Sequence, residues 1–254
     1  MPDMDLQLQD RAFIVTGGGR GLGRATAAAL VADGARVVVS GRDEGTLQHA
    51  VHALGPNATS VVADNADPAT PGRLVQAAHD AWGRLDGVLI SVGGPPTGAV
   101  TEVTDVQWTA AFESVFLGAV RLAREVATAL SEDGSITFVL SSSVRSPLAD
   151  LAISNGLRPG LAMVAKTLAD ELGPRGIRVN GLMPGRVGTE RVAELDASSG
   201  DAEAARERAT ATIPLGRYGA PAEFGRVAAF LMSPAASFVS GTMLPVDGGM
   251  LRAL

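Results

Sequence analysis

The chain has 254 residues with 31 Gly, 14 Pro, three His, one Tyr, no Cys and a formal net charge of −6. At roughly 100–200 residues per domain this length holds one large or two small domains with a sizeable core. Absent cysteine excludes disulfides, thiol nucleophiles and cysteine-held metals, three histidines leave little for a metal site, and the acidic balance argues against nucleic-acid or anionic-membrane binding.

The first residues, MPDMDLQLQDR, are polar and acidic and lack a signal-peptide pattern. No apolar run approaches the ~18 residues of a membrane span, so a cytoplasmic protein is expected. Residues 12–16 (AFIVT) read as a strand and 21–33 as a helix stopped by Gly34. Strand 36–40, helix 43–54, strand 59–63, helix 67–82 and strand 87–92 follow. A long helical stretch, broken near its start, covers 102–130. Further strands are predicted at 135–140, 177–180 and 242–246.

Strands apolar along their whole length are buried on both faces, as parallel sheets require. Regular alternation of β and α therefore predicts an α/β fold, a Rossmann-type doubly wound parallel sheet of about seven strands with helices on both faces. No linker or repeat interrupts it, so residues 1–254 are expected to form a single dinucleotide-binding domain. The polar stretch 190–212, rich in Ala, Glu and Arg, reads as an inserted helical flap or a solvated surface helix.

The strongest local signal is Thr16-Gly17-Gly18-Gly19-Arg20-Gly21-Leu22-Gly23, placed between the first strand and the first helix. Such glycines let the backbone turn sharply and approach a pyrophosphate, which the free N–H groups and dipole at the helix start stabilise. Gly17, Gly19, Gly21, Leu22 and Gly23 are the candidate cradle. The second strand ends in Gly41-Arg42, with no carboxylate for a ribose 2′-hydroxyl but a guanidinium suited to a 2′-phosphate. With Arg20 as a second cation, NADP(H) is preferred over NAD(H).

With these elements in place, the chain resembles the short-chain dehydrogenase/reductase family from about residue 10 to residue 252, in particular its 3-oxoacyl-(acyl carrier protein) reductase-like members. The resemblance places Asp64, with Asn65 beside it, against the adenine ring, and Ser91, Val92 and Gly93 in the stretch after the fourth strand. It implies that the segment from Pro184 and Gly185 holds the nicotinamide carboxamide through the backbone of Val187 and the hydroxyl of Thr189. Gly216–Pro221 and Gly241–Gly249 match the family's C-terminal signature. A homodimer or homotetramer is implied.

The family's catalytic positions are altered. Counting back from Thr167–Asn180, its tyrosine falls on Ser154 and its lysine on Arg158, while its serine falls on Ser141, at the head of the run Ser141-Ser142-Ser143. Its asparagine falls on Val115. The single tyrosine is Tyr218, far from Ser154, and reads as a packing or interface residue. A serine hydroxyl is a far weaker acid than a phenol of pKa near 10, and arginine keeps its proton, so Ser141, Ser142, Ser154 and Arg158 form a non-standard catalytic set in which Arg158 still donates to ribose hydroxyls.

Three functions stay open: an NADP(H)-dependent oxidoreductase acting on a small carbonyl or alcohol, a redox-neutral lyase or isomerase on the same site, and a catalytically silent NADPH-binding protein. Pro159 between Gly156 and Gly160 predicts a local break, because proline inside a helix costs ~3 kcal/mol. The helix is therefore expected to begin or kink near Arg158.

Overall fold

The computed structural model describes residues 5–198 and 200–253. In chain order the elements are β1 (Ala12–Thr16), α1 (Gly21–Ala32), β2 (Arg36–Gly41), α2 (Glu44–Leu54), β3 (Ala58–Val62), α3 (Thr70–Trp82) and β4 (Gly87–Ile90). Then come α4 (Asp105–Ala111), a π-helical segment Phe112–Leu117, α5 (Gly118–Ala129), β5 (Ser135–Val139) and α6 (Ala152–Leu172). The chain closes with β6 (Arg178–Pro184), α7 (Glu190–Ala197), α8 (Ala202–Ala211), α9 (Pro221–Met232) and β7 (Met243–Val246).

Among the described residues these strands form one seven-stranded sheet in the order β3-β2-β1-β4-β5-β6-β7, with every pairing parallel. Parallel pairing leaves both faces to be covered, and two apolar cores do so. One gathers Leu74, Leu122, Phe138 and Leu161 from α3, α5, β5 and α6; the other gathers Phe13, Leu30, Leu47 and Phe224 from β1, α1, α2 and α9. Burying each such side chain contributes about 1.5–3 kcal/mol.

Two buried charged side chains tie the strand ends that face away from the crevice described below. Asp86, just before β4, accepts the Ala12 N–H at 2.8 Å and both Arg84 nitrogens at 2.8 and 2.6 Å, and also meets Arg11 at 3.2 Å. Arg178 at the start of β6 donates to Leu231 O at 2.7 Å and Ser233 O at 3.0 Å, satisfying carbonyls left open at the end of α9.

The predicted break in α6 is absent. The helix runs unbroken from Ala152 to Leu172 with Pro159 inside it. Tertiary contacts outweigh the local penalty. The Asn155 side chain clamps Leu148, accepting its N–H at 3.0 Å and donating to its carbonyl at 2.8 Å, which fixes the first turn. Gly156 and Gly160, one turn apart, face Trp108 and Phe116, so the glycines are points of close approach rather than helix breakers.

The stretch 102–130 also differs from its reading. Its start is regular: Thr104 and Gln107 form a reciprocal capping box ahead of α4. The irregularity comes later, in the π-helical segment, where Val115 is buried. Helix α3 starts at Thr70 rather than 67, because Asp67 accepts the Ala69 N–H at 2.9 Å and Thr70 donates to Asp64 O at 2.6 Å, closing turns before the helix.

Candidate nucleotide and active site

The sheet order reverses between β1 and β4, so the connections leaving these strands diverge and open a crevice at their C-terminal ends. The glycine turn forms one wall. Gly17 adopts φ +60°, and a Cβ there would stand 2.8 Å from Ser91 O, a position that only glycine fills without strain. Thr16 Oγ1 donates to Ser91 O and accepts Ser91 N–H, both at 2.9 Å, which joins the turn to the loop after β4. Gly23 packs so tightly on Gly17 O that the first turn of α1 is drawn onto the end of β1.

Helix α1 begins at Gly21 with no side-chain cap at Arg20 and no acidic residue in its first turn. Its first N–H groups thus have no intrahelical acceptor, and the positive end of the helix dipole faces the crevice. Asp43 by contrast caps α2 and Asp201 caps α8, while α3 and α6 share with α1 the lack of a side-chain cap. The α1 terminus, cradled by glycines, fits a phosphate group.

The rim follows the remaining strand ends. Arg42 is exposed after β2, and Asp64 and Asn65 follow β3, with Asp64 Oδ1 accepting Ala66 N–H at 2.9 Å. Ser91, Val92 and Gly93 follow β4. Arg20 is exposed and its guanidinium lies 3.8 Å from Glu194 of α7.

On the β5 side, Ser141 Oγ accepts the Ser143 N–H at 3.1 Å and shapes the short turn in which Ser142 is also buried. Of the three serines, Ser143 is the one that meets Ser154: its Oγ lies 3.2 Å from Ser154 Oγ. Ser154 and Arg158 are one turn apart on the buried face of α6. Arg158 Nη1 donates to Val139 O at 2.6 Å and Nη2 to Val92 O at 3.5 Å. Burial lowers its pKa from the ordinary arginine range to about 10, and among the described residues no carboxylate pairs with it.

The loop after β6 forms the opposite wall. Gly185 N–H donates to Val246 O at 3.0 Å, and Asp247 presses on Gly185, fixing the turn that follows Pro184. Val187 is buried and pairs with Gly219 in an isolated parallel bridge. Thr189 Oγ1 accepts Val192 N–H at 3.4 Å as the N-cap of α7. Within the polar stretch 190–212, Glu190–Ala197 form α7 and Ala202–Ala211 form α8. Arg191 of α7 donates to Pro95 O at 3.0 Å, so this helix reaches across to the loop after β4.

The structure thus brings the glycine turn, the strand-end loops, the serine turn and Arg158 to one end of the sheet. Sequence reasoning missed Ser143, Arg191 and Asp196. Ser143 stood in the serine run, but only the geometry of the turn selects it. Among the described residues no group of three or more His, Asp or Glu is placed to hold a metal ion, and no helix is long and apolar enough to cross a membrane.

Fold and crevice together define a Rossmann-like α/β protein whose crevice lies at the sheet's reversal point. The family model described as enoyl-(acyl carrier protein) reductase matches residues 17–251, and the chain belongs to the short-chain dehydrogenase/reductase family of oxidoreductases. It is 35% identical over 253 residues to L-rhamnose 1-dehydrogenase (NAD(P)(+)) of Azotobacter vinelandii, covering 96% of this chain and 97% of that one. It is 28% identical over 247 residues to 3-oxoacyl-[acyl-carrier-protein] reductase of Salmonella typhimurium, covering 96% and 99%. The crystal structure of L-sorbose reductase from Gluconobacter frateurii, complexed with NADPH and L-sorbose, superposes with a TM-score of 0.93 at 28% identity, covering 99% and 100%.

Proposed function

We propose that the protein is an NADP(H)-dependent oxidoreductase acting on a small carbonyl or alcohol substrate, with Ser154 and Arg158 standing where its relatives carry tyrosine and lysine. The observation that carries this reading is the uncapped start of α1 inside a glycine cradle, with Arg42 exposed at the neighbouring strand end. The N–H groups of Gly21, Leu22 and Gly23 bind the diphosphate, and Arg42 with Arg20 takes the 2′-phosphate. Asp64 and Asn65 flank the adenine, while Pro184, Gly185, Val187 and Thr189 position the nicotinamide. The relatives that bear NADPH or NAD(P)(+) in their names support the same cofactor class.

When bound, the nicotinamide supplies a hydride to the carbonyl carbon. The chain's own residues orient and solvate. Arg158, fixed by Val139 O and Val92 O, holds ribose hydroxyls. The Ser143–Ser154 hydroxyl pair directs the carbonyl oxygen or a water, and the proton reaches that oxygen from water or from a substrate hydroxyl, because serine is too weak an acid to take the role of a phenol.

One observation favours the redox-neutral or silent reading: the only phenol of the chain is engaged with Asp196. Titration of protein fluorescence with NADPH and NADH, followed by NADPH-oxidation assays on ketones, diketones, quinones and ketoses, separates the readings. Saturable NADPH binding, tighter than NADH, and oxidation with at least one substrate is the expected result. Tight binding without oxidation across the panel transfers the assignment to the second reading, and binding of neither nucleotide overturns the cofactor assignment.

A further inference from the structure

Tyr218 is buried, and its hydroxyl donates to Asp196 Oδ2 at 3.1 Å, with Oδ1 at 3.3 Å. Asp196 lies near the end of α7 and is itself buried, and Arg186 Nη1 meets its Oδ1 at 3.2 Å. From α8 the guanidinium of Arg206 stacks over the phenol ring, 4.7 Å from its centroid. The backbone carrying Tyr218 is joined to the loop after β6, with Gly219 N–H donating to Arg186 O and Gly188 N–H to Gly219 O, both at 2.9 Å. One side chain therefore ties together α7, α8 and the loop that leads to Thr189.

These groups border a cavity of about 380 Å³ whose lining includes Gly188, Thr189, Val192, Asp196 and Tyr218. At its other end α7 is held by Arg191 on Pro95 O. Helix α7 is thus fastened on both sides of the crevice, but only the Tyr218 fastening is buried. A buried hydrogen bond to a carboxylate is among the stronger single polar contacts, since neither partner regains water when it breaks inside the fold.

We propose that the Tyr218–Asp196 contact is the latch that seats the α7–α8 unit on Arg186–Thr189, making Tyr218 a positioning residue for the nicotinamide side of the crevice. This rests on the nucleotide reading above, although the latch itself is testable without nucleotide. The charged groups facing the phenol are Asp196 on α7, Arg186 on the loop and Arg206 on α8, while Glu190 shares the cavity. Burial and the bond to Asp196 raise the phenol's pKa above 10.0, against the opposing pull of Arg186 and Arg206.

As the only tyrosine, Tyr218 can be titrated by tyrosinate absorbance with no background from another phenol. In Asp196→Asn the midpoint is expected to fall from the wild-type value, and an unchanged midpoint overturns the contact. Tyr218→Phe is expected to speed proteolytic cleavage within residues 190–212 and to weaken NADPH binding, each by about tenfold, the size of one hydrogen bond to a charged group. The double variant should lose no more than the worse single one. A lowered melting temperature with unchanged NADPH affinity and unchanged cleavage would reduce Tyr218 to packing alone. Should wild-type protein bind no NADPH, the titration and the cleavage still decide the latch, so the two ideas fail separately.

Discussion

The carbonyl oxygen of Ser91 closes over the α-carbon of Gly17, leaving 2.8 Å to the place a Cβ would take, while Gly17 holds φ +60°. Both obstacles confront any other residue at this position. Gly17→Ala is expected to cost about 1–3 kcal/mol from the left-handed backbone alone. Because Ser91 is also hydrogen-bonded to Thr16, the clash displaces the loop after β4, and NADPH affinity should fall by more than the stability change implies. Urea unfolding with nucleotide titration on the same variant checks both.

Arg42 stands exposed at the end of β2 without a hydrogen bond or ion pair to any other described residue. Arg42→Ala should therefore leave the melting temperature within about 1 °C, as exposed substitutions do. It should weaken NADPH by about tenfold or more and NADH hardly at all, the loss expected of one charge-assisted contact to a phosphate. Equal loss of both nucleotides would remove Arg42 from the 2′-phosphate site.

Arg158 carries a buried charge answered only by carbonyl dipoles, and burial lowers its pKa to about 10. The unfolded chain binds this proton up to the ordinary arginine range, so the desolvation cost is present in full below about 10 and is relieved as pH rises beyond it. Arg158→Met is expected to raise the melting temperature at neutral pH, with the advantage shrinking above that pKa, and at the same time to weaken NADPH binding. Calorimetry across pH together with nucleotide titration tests the trade, and lost stability with unchanged affinity would make Arg158 a structural residue.

Glu223 illustrates the opposite sign. The Arg217 fork and then the Ala220 N–H lower its pKa from 4.5 to about 2. Its contribution is present above the unfolded value and is lost as pH falls toward the folded one. The melting-temperature gap between wild type and Arg217→Met should thus be largest near neutrality and close in acid. Added salt should narrow it too, because the pair is solvent-facing.

Elements with local causes were legible in the sequence. β1 is apolar from Ala12 to Val15, buried throughout and followed directly by glycines, and the sequence reading places its bounds at Ala12 and Thr16 as the structure does. The glycine turn announced the crevice because strand, turn and helix followed in order. Features decided by contacts between distant segments were not legible. Pro159 predicted a break by its local cost, whereas the continuity of α6 depends on Leu148, Trp108 and Phe116, which no local window contains. Ser143 was one of three hydroxyls until the fold of the turn selected it, and Asp196 had no mark of its own until Tyr218 was placed beside it.

Asp86, with its ring of donors from Arg84, Arg11 and Ala12, sits where β1 and β4 begin, whereas the crevice lies where they end. Cohesion and chemistry therefore occupy opposite poles of the same strands. A change of side chain in the crevice therefore leaves the Asp86 anchorage at the opposite strand ends in place. Ser154 and Arg158 stand at the crevice pole, apart from that anchorage.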